Sequence, residues 1–166
     1  AWASGCRSFD TAPHYGHGLS ERRIGDALRA RERNTFVLSS KVGRLLMSDP
    51  AAPADQHGYV GILPFSQRWD YSAAAMRRSL EDSLQRLGLA RLDVLFVHDC
   101  DAASHGPNAD AVRRQVIDEA LPALHALKSE GLIRAVGLGV NDVPIVLDVL
   151  RETELDRVRD RKELKE

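Results

Sequence analysis

Four polar residues, widely spaced along the chain, carry side chains suited to proton transfer: Asp10, Tyr15, Lys41 and His98. A tyrosine hydroxyl ordinarily has a pKa of about 10, too high for efficient proton donation near neutrality. A neighbouring ammonium stabilises tyrosinate, and Lys41 could supply one, with Asp10 holding it in place. His98 could hydrogen-bond a carbonyl oxygen. Such a set could protonate a carbonyl as hydride arrives, or deprotonate an alcohol as hydride leaves; it contains no nucleophile and no cage of metal ligands.

Apolar segments that read as β-strands must position these residues. We expect strands over residues 8–12, 35–42, 92–98 and 134–140. Asp10, Lys41 and His98 lie at or near the carboxyl ends of three of them, and Tyr15 lies in the turn after the first. Parallel α/β folds build their sites at that edge, because the strand ends and the following loops face one crevice. We therefore expect the four side chains to meet.

Amphipathic helices separate the expected strands. Ser20, Ser72 and Asp142 are placed to cap helices, and Pro122 predicts a kink or a restart within another. The residues expected to face the core are, for the first helix, Ile24, Ala27 and Leu28, for the second Met76, Leu80, Leu84 and Leu87, and for the last Val143, Val146, Leu147 and Leu150. Residues 43–70, rich in Pro, Gly and Ala, predict a long loop with a functional role or high mobility.

The alternation of apolar strands with amphipathic helices predicts an α/β fold with a parallel sheet covered by helices. An open doubly wound sheet and a closed barrel both fit this pattern. We expect one domain segment over residues 1–155 and a charged tail over residues 156–166. The tail is nearly all charged, which favours a solvated helical extension over a buried strand.

Composition narrows the classes of function. The chain has 166 residues, 43% of them hydrophobic, and a formal net charge of -1. With no Lys/Arg cluster among aromatics we expect no nucleic-acid partner, and with no long apolar run or leader we expect no membrane association. Cys6 and Cys100 lack metal-ligand spacing. We interpret them as thiols in a reducing compartment, which predicts a cytoplasmic protein.

Four ordered motifs give the chain a resemblance to the aldo-keto reductase superfamily. They are FDTAPHYG with Asp10 and Tyr15, LSSKVG with Lys41, LFVHD with His98, and RAVGLGVN with Asn141. The segment over residues 77–99 is also similar to the family, and the match runs over about residues 2–155. The motifs GLGVN, WDYS and VHDCD resemble the branch that includes D-threo-aldose (L-fucose) and pyridoxal dehydrogenases.

The resemblance implies part of a (β/α)8 TIM barrel, roughly its strands two to five. It implies a catalytic tetrad of Asp10, Tyr15, Lys41 and His98, with Tyr15 as general acid/base. Asp10 and Asn141 would contact the cofactor, NAD or NADP, and Asn141 would bind the nicotinamide carboxamide. The implied substrate is an aldose hemiacetal or a small aldehyde or alcohol.

Some details depart from the family pattern or leave alternatives open. Val140 stands where many members have Ser, and no GxGxxG fingerprint is present, since YGHG does not fit it. Tyr59 and Trp69 are candidate wall residues of the substrate loop, although packing within the loop would also explain them. Family barrels need about eight strands and about 250 residues, so the chain looks like a fragment.

Two other functions fit the same residues. One is a truncated, inactive chain that binds a nucleotide or a partner, and its exposed sheet edges could support association. The other is a metal hydrolase in which His14 and His17 join His98 and Asp10 as ligands.

Overall fold

A computed structural model describes residues 1–153 and 155–160. In it, each of the four segments expected to be strands contains one. The strands are β1 (Ser8–Asp10), β2 (Val37–Val42), β3 (Arg44–Ser48), β4 (Phe65–Trp69), β5 (Val94–His98), β6 (Ala135–Val140) and β7 (Arg157–Asp160). The helices are α1 (Leu19–Leu28), α2 (Ala73–Leu87), α3 (Ala102–His105), α4 (Ala109–Gln115), α5 (Leu121–Ser129) and α6 (Val143–Glu152). Short helical turns cover Arg33–Thr35 and Gly106–Asn108, and a π-helical turn covers Val116–Ala120.

The main sheet has five strands in the order β1-β2-β5-β6-β7, and every neighbouring pair is parallel. This confirms the predicted α/β class. Because all five strands run the same way, their carboxyl ends share one edge. The register places Asp10 beside Ser39, Lys41 beside Phe96, and His98 beside Gly139, which brings three of the candidate residues to that edge.

The core lies between the sheet and its helices. Leu38, Leu95, Val97, Val136 and Leu138 on the strands are fully buried and belong to one apolar cluster with residues of α2 and α5. Burying such side chains is the main favourable term in folding.

Helices α1 and α2 pack closely because Gly25 has no side chain. A Cβ atom at that position would lie 2.3 Å from the carbonyl oxygen of Leu87. The contact fixes α1 against the rest of the fold, and with it the turn that carries Tyr15.

Helix α2 begins and ends as its sequence predicts. The backbone N–H of Ala75 donates to Ser72 Oγ at 3.2 Å, which satisfies one of the unpaired donors of the first turn. Gly88 follows the helix in the left-handed conformation, with φ 65°, as expected for a terminating glycine. The predicted inward residues Met76, Leu80 and Leu87 are buried.

Two predictions for α1 need correction, although Ile24 and Leu28 pack against the core as predicted. Helix α1 begins at Leu19 after Gly18, and Ser20 makes no capping bond but accepts a hydrogen bond from Thr11 at 2.9 Å. Ala27, expected to face the core, is exposed. Pro122 lies in the first turn of α5, directly after a π-helical turn, in agreement with the predicted kink or restart.

Helix α6 contacts the core with a face that shares only Val146 with the predicted one, and Val146 is partly buried against the core. Asp142 precedes the helix without a side-chain capping bond. Ile145 and Val149 are the buried residues, whereas Val143, Leu147 and Leu150 are exposed. The helix carries apolar residues on two sides, and the sequence does not say which side contacts the sheet.

The sequence predicted a loop over the whole of residues 43–70, but the structure shows that part of this segment forms two strands. Strands β3 and β4 within it form an antiparallel hairpin, in which Arg44 pairs with Trp69 and Ser48 with Phe65. Strand β4 (FSQRW) is polar and only partly buried, so its apolar periodicity is too weak to announce a strand.

The prediction of a helical extension in the charged tail is also wrong for Arg157–Asp160. These residues form strand β7, which pairs in parallel with β6. Asp156 anchors the chain just before this strand. Its carboxylate accepts hydrogen bonds from Lys128 Nζ at 2.7 Å and from the backbone N–H of Val136 at 2.8 Å. Both contacts hold the pKa of Asp156 below its usual value, with Lys128 as the larger cause. The rest of the predicted tail, residues 161–166, lies outside the described residues.

Candidate active site

Lys41 and Asp10 form an ion pair at the edge shared by the strand ends. Lys41 Nζ lies 2.6 Å from Asp10 Oδ2, and the two side chains are 3% and 13% exposed. Lys41 also donates to the carbonyl oxygen of Thr11 at 2.9 Å, and Ser39 Oγ donates to Asp10 Oδ1 at 2.5 Å. A buried charge is costly unless it is paired and hydrogen-bonded, and each partner here has both.

Tyr15 and His98 complete the predicted group. Lys41 Nζ lies 4.7 Å from the centre of the Tyr15 ring. The ring centres of Tyr15 and His98 are 6.1 Å apart and nearly perpendicular. Tyr15 is half-buried and His98 is 3% exposed. The structure therefore brings together the four residues that the sequence singled out.

A polar wall, defined here as His14, Arg44 and Gln67, stands beside this group. Arg44 Nη1 lies 2.6 Å from His14 Nδ1 and 3.2 Å from Gln67 Oε1. The His14 ring centre lies 5.9 Å from that of His98 and 6.1 Å from that of Tyr15. Burial, and next the charge of Arg44, lower the pKa of His14 to about 4, so this imidazole is neutral at physiological pH.

Asp99 and Tyr71 fix the chain that carries His98. Asp99 has a positive φ of 47°, a backbone conformation that is uncommon for non-glycine residues, although aspartate adopts it more readily than most. The buried Tyr71 hydroxyl lies 2.8 Å from the carbonyl oxygen of His98 and 3.2 Å from that of Asp99. Burial raises the pKa of Tyr71, so its hydroxyl remains a hydrogen-bond donor.

The two aromatic residues proposed as loop walls have different surroundings. The Tyr59 ring centre lies 5.3 Å from that of His14 and 6.1 Å from that of Tyr15, so Tyr59 borders the site. Trp69 stacks on Tyr71 with ring centres 5.9 Å apart, and the Arg44 guanidinium covers it at 3.9 Å. Trp69 therefore packs against two neighbours, although the residue remains 39% exposed.

His14 and His17, considered above as metal ligands, have other contacts. His17 Nδ1 lies 2.5 Å from the carbonyl oxygen of Phe65, and His14 Nδ1 faces the Arg44 cation. A cation beside a ligand nitrogen opposes metal binding there. Across the described ranges, no three His, Cys, Asp or Glu side chains are arranged to hold a metal ion.

Asn141 follows β6 at the same edge of the sheet. Its backbone N–H donates to Asp101 Oδ2 at 3.1 Å, which fixes the chain at this position. Within the part of the chain that the structure describes, the side-chain amide makes no hydrogen bond. A half-buried amide at the sheet edge, with its donors and acceptor unused, is suited to a ligand that carries an amide of its own.

Two cavities open near these residues. A groove of about 920 Å³ has Tyr15 and Tyr59 on its border and is otherwise lined mainly by β1, α1 and the start of the chain. A smaller cavity of about 270 Å³ is lined by Arg44, His57, Gln67, Trp69 and Ser104.

None of the helices over residues 1–153 and 155–160 is both long and apolar enough to cross a membrane.

The fold and the site together define a segment of a (β/α)8 barrel with polar side chains gathered at the carboxyl ends of its strands. The chain belongs to the aldo/keto reductase family, whose model matches residues 1–159.

Two curated relatives show how far the similarity extends. The chain is 39% identical over 170 residues to pyridoxal 4-dehydrogenase of Microbacterium luteolum, covering 93% of this chain and 48% of that protein. It is 36% identical over 167 residues to D-threo-aldose 1-dehydrogenase of a Pseudomonas species, covering 95% and 47%. The chain thus spans about half the length of these relatives.

Solved structures of the family have the same fold. An aldo-keto reductase from Bacillus halodurans in its holo form superposes with a TM-score of 0.69 at 27% identity, covering 95% of this chain and 44% of that one. An aldo-keto reductase from Klebsiella pneumoniae in complex with NADPH gives a TM-score of 0.62 at 26% identity, covering 91% and 40%. The neighbours are (β/α)8 barrels, so the chain is a partial barrel, as predicted.

Sequence reasoning missed Arg44, Tyr71 and Asp99. Asp99 directly follows His98, and Arg44 lies just beyond Lys41. Their positions after strand ends are the signal that could have found them. Tyr71 offers no comparable signal, because only the folded hairpin brings it to the chain of β5.

Proposed function

We propose that the protein to which this chain belongs is an NAD(P)-dependent oxidoreductase. It would transfer hydride between a nicotinamide cofactor and an aldose hemiacetal or a small aldehyde or alcohol. The observation that carries this proposal is the buried Lys41–Asp10 ion pair, with Lys41 Nζ 2.6 Å from Asp10 and 4.7 Å from the Tyr15 ring centre.

In this proposal Tyr15 is the general acid and base. Its hydroxyl gives a proton to the carbonyl oxygen in reduction and takes one from the alcohol in oxidation. The Lys41 ammonium stabilises the tyrosinate formed when the proton leaves. Asp10 keeps that ammonium in place, because a lysine paired and hydrogen-bonded on two sides has little freedom to move.

His98 would orient the substrate. Its ring is nearly perpendicular to that of Tyr15, so both can approach one substrate oxygen from different sides. Two hydrogen-bonding groups on one oxygen fix its position, and positioning of this kind accounts for a large part of many rate enhancements.

Residues of this chain fit one end of the cofactor. The unused amide of Asn141 can pair with the carboxamide of nicotinamide, and Asp10 borders the same edge of the sheet. Bound nicotinamide would supply or accept the hydride. The sequence and the described residues support NAD and NADP equally.

The relatives and the polar wall support the substrate class. One relative is named for an aldose and another for pyridoxal, both small polar carbonyl compounds in their reactive forms. Arg44, Gln67 and His57 line the 270 Å³ cavity and offer hydrogen-bonding groups to a substrate with several hydroxyls. We place the protein in the cytoplasm, since both cysteines are free thiols.

Replacing Tyr15 by Phe tests the proposal. The substitution removes the proton donor and keeps the ring, so we expect hydride transfer to fall by about 10²–10⁴-fold while cofactor binding is nearly unchanged. Turnover is followed by NADH and NADPH absorbance, and binding by calorimetry. Full turnover by Tyr15→Phe would exclude the mechanism.

The same measurements on the 166-residue chain distinguish the alternative. A chain that binds NADH or NADPH without turnover is a binding module, as the second interpretation of the sequence holds. Tight binding would also show that the described half of the barrel holds more of the cofactor site than its motifs suggest.

A further inference from the structure

Arg44 connects three segments of the site. From β3 its guanidinium reaches Asp99 after β5, with Nη2 2.6 Å from Oδ2, and His14 after β1, with Nη1 2.6 Å from Nδ1. It also donates to Gln67 on β4 and covers the Trp69 ring. The Arg44 and Asp99 side chains are only 12% and 10% exposed. Charge-assisted bonds with this little solvent are among the stronger hydrogen bonds of proteins.

The Asp99 carboxylate has a second neighbour, which is His98. Asp99 Oδ2 lies 3.5 Å from His98 Nε2, and it is the same oxygen that Arg44 contacts at 2.6 Å. The Tyr71 hydroxyl holds the backbone at the carbonyl oxygen of Asp99, and the Arg44 guanidinium holds its carboxylate. One carboxylate oxygen is therefore shared between an arginine and a histidine.

A carboxylate beside an imidazole favours the protonated imidazolium. An imidazolium at His98 would add a positive charge near Lys41. It would also be an acid that competes with Tyr15 for the substrate oxygen. The Arg44 guanidinium opposes this outcome, because it compensates the Asp99 charge at a shorter distance than His98 does.

We propose that Arg44 is a positioning residue: by binding the Asp99 carboxylate it keeps His98 uncharged, and it fixes the β3–β4 hairpin beside the site. Its meaning for catalysis rests on the proposed function, but the charge on His98 can be measured without turnover.

The other ionisable groups of this corner do not take over the role of Arg44. Tyr15 and His14 approach His98 from the turn after β1, and Lys41 lies on the adjacent β2. His14 is neutral near pH 7, since burial and Arg44 lower its pKa to about 4. Lys41 is paired with Asp10. Of the contacts given above, the one with Asp99 brings an anion to His98, and Arg44 is a cation bound to that anion.

A double-mutant cycle on Arg44 and Asp99, with the titration of His98 followed by NMR, tests the proposal. Histidine ring signals of the chain are followed by ¹H–¹⁵N correlation from pH 4 to pH 9, and His98→Gln assigns the His98 signal. Arg44→Met removes the cation and should raise the midpoint of the His98 titration by about one pH unit, a tenfold change in proton affinity. Asp99→Asn leaves the cation and should lower it. The double variant should return the midpoint close to that of the wild type.

Two further variants separate charge from structure. Arg44→Lys keeps the positive charge and should restore most of the wild-type midpoint. Arg29→Met is the control, because it breaks an ion pair on the surface: the side chains of Arg29 and Asp26 are 55% and 67% exposed. This variant should leave the His98 midpoint unchanged.

An unmoved His98 midpoint in folded Arg44→Met, with its circular dichroism unchanged, would overturn the inference. If Arg44→Met does not fold, an unmoved midpoint in Asp99→Asn overturns it instead. Failure of the proposed function gives a different result: the midpoints move as expected, but the protein to which this chain belongs neither binds NADH or NADPH nor transfers hydride with them.

Discussion

At the scale of single residues, Lys41 shows how the fold tolerates a charge among apolar strands. Its side chain is 3% exposed, yet Nζ has a carboxylate at 2.6 Å and a carbonyl oxygen at 2.9 Å. These partners come from Asp10 and Thr11 at the end of β1, beside β2. Pairing of the two strands is therefore what compensates the lysine charge, and the same pairing brings that charge close to Tyr15.

His14 makes stability depend on pH in a defined direction. Its pKa falls from the usual 6.5 to about 4 on folding. Between these values the unfolded chain binds a proton at this imidazole and the folded chain does not, so acidification favours unfolding. The contribution is complete above about pH 6.5 and is lost as the pH falls to about 4.

His14→Gln should remove this part of the pH dependence, because a glutamine amide keeps a hydrogen-bond acceptor for Arg44 and does not titrate. Urea unfolding at a series of pH values compares the two proteins. We expect their free energies of unfolding to run parallel above about pH 6.5 and to diverge below it, with the wild type losing more. Parallel curves down to pH 4 would contradict the assignment.

The sequence was sufficient to predict which residues meet at the candidate site. Asp10, Lys41 and His98 lie at or near the ends of strands and Tyr15 follows one, and parallel pairing brings such positions together. The partners Arg44 and Asp99 were not accessible in the same way. Their contact depends on how the hairpin lies against the sheet and on the left-handed backbone at Asp99, neither of which leaves a periodic pattern.

At the scale of elements, the β3–β4 hairpin depends on one glycine. Gly43 has φ 111°, and a Cβ atom there would lie 2.5 Å from Cε1 of the buried Tyr71 ring. The chain can turn from β2 into β3 at this point only because the side chain is absent. The turn leads directly to Arg44, so the conformation of Gly43 determines where the guanidinium lies.

Gly43→Ala should therefore destabilise the fold by about 3 kcal/mol, from backbone strain and overpacking together. Gly58→Ala is the matched control. Gly58 also has a positive φ, 78°, but open space where a Cβ would lie, so strain alone should cost about 1 kcal/mol. Denaturant unfolding measures both. Equal losses would mean that the close approach to Tyr71 is relaxed at little cost.

The element predictions failed where two signals conflicted. Helix α6 is apolar on two sides, so periodicity identifies a helix and not the side that packs. The segment that forms β7 is highly charged, and we therefore did not predict a strand there. Hydrogen bonding to β6 and the contacts of Asp156 nevertheless hold β7 in the sheet. Local pattern describes an element, and its neighbours decide where it lies.

At the scale of the whole molecule, the sheet has β1 and β7 at its two ends within the described residues. Beside β1 lies the groove of about 920 Å³, lined in part by Trp2, Phe9 and Leu28. In this chain on its own, β1 has no strand on its outer side among the described residues, and an unpaired strand edge next to an apolar groove favours association with a second copy of the chain. We therefore propose that this chain associates through its sheet edges.

Ser8→Lys on β1 tests that proposal, since a lysine on an edge strand opposes edge-to-edge pairing. Sedimentation of the wild type should show a mass that rises with concentration, and Ser8→Lys should reduce that rise. Ser129→Lys adds the same charge at an exposed position that ends α5, so its sedimentation should match the wild type. A wild-type chain that stays monomeric at every concentration contradicts the proposal.

The strand order also has a consequence for the lifetime of the site. His98 ends β5, which has a strand on each side, whereas Asp10 ends β1, a three-residue strand paired only with β2 among the described residues. Short edge strands open locally far more often than central ones. Each opening of β1 would separate Asp10 from Lys41 while the core stays folded. In this 166-residue chain on its own, the opening of β1 therefore limits the fraction of time in which the four residues are assembled, and the stability of the fold gives only an upper limit to that fraction.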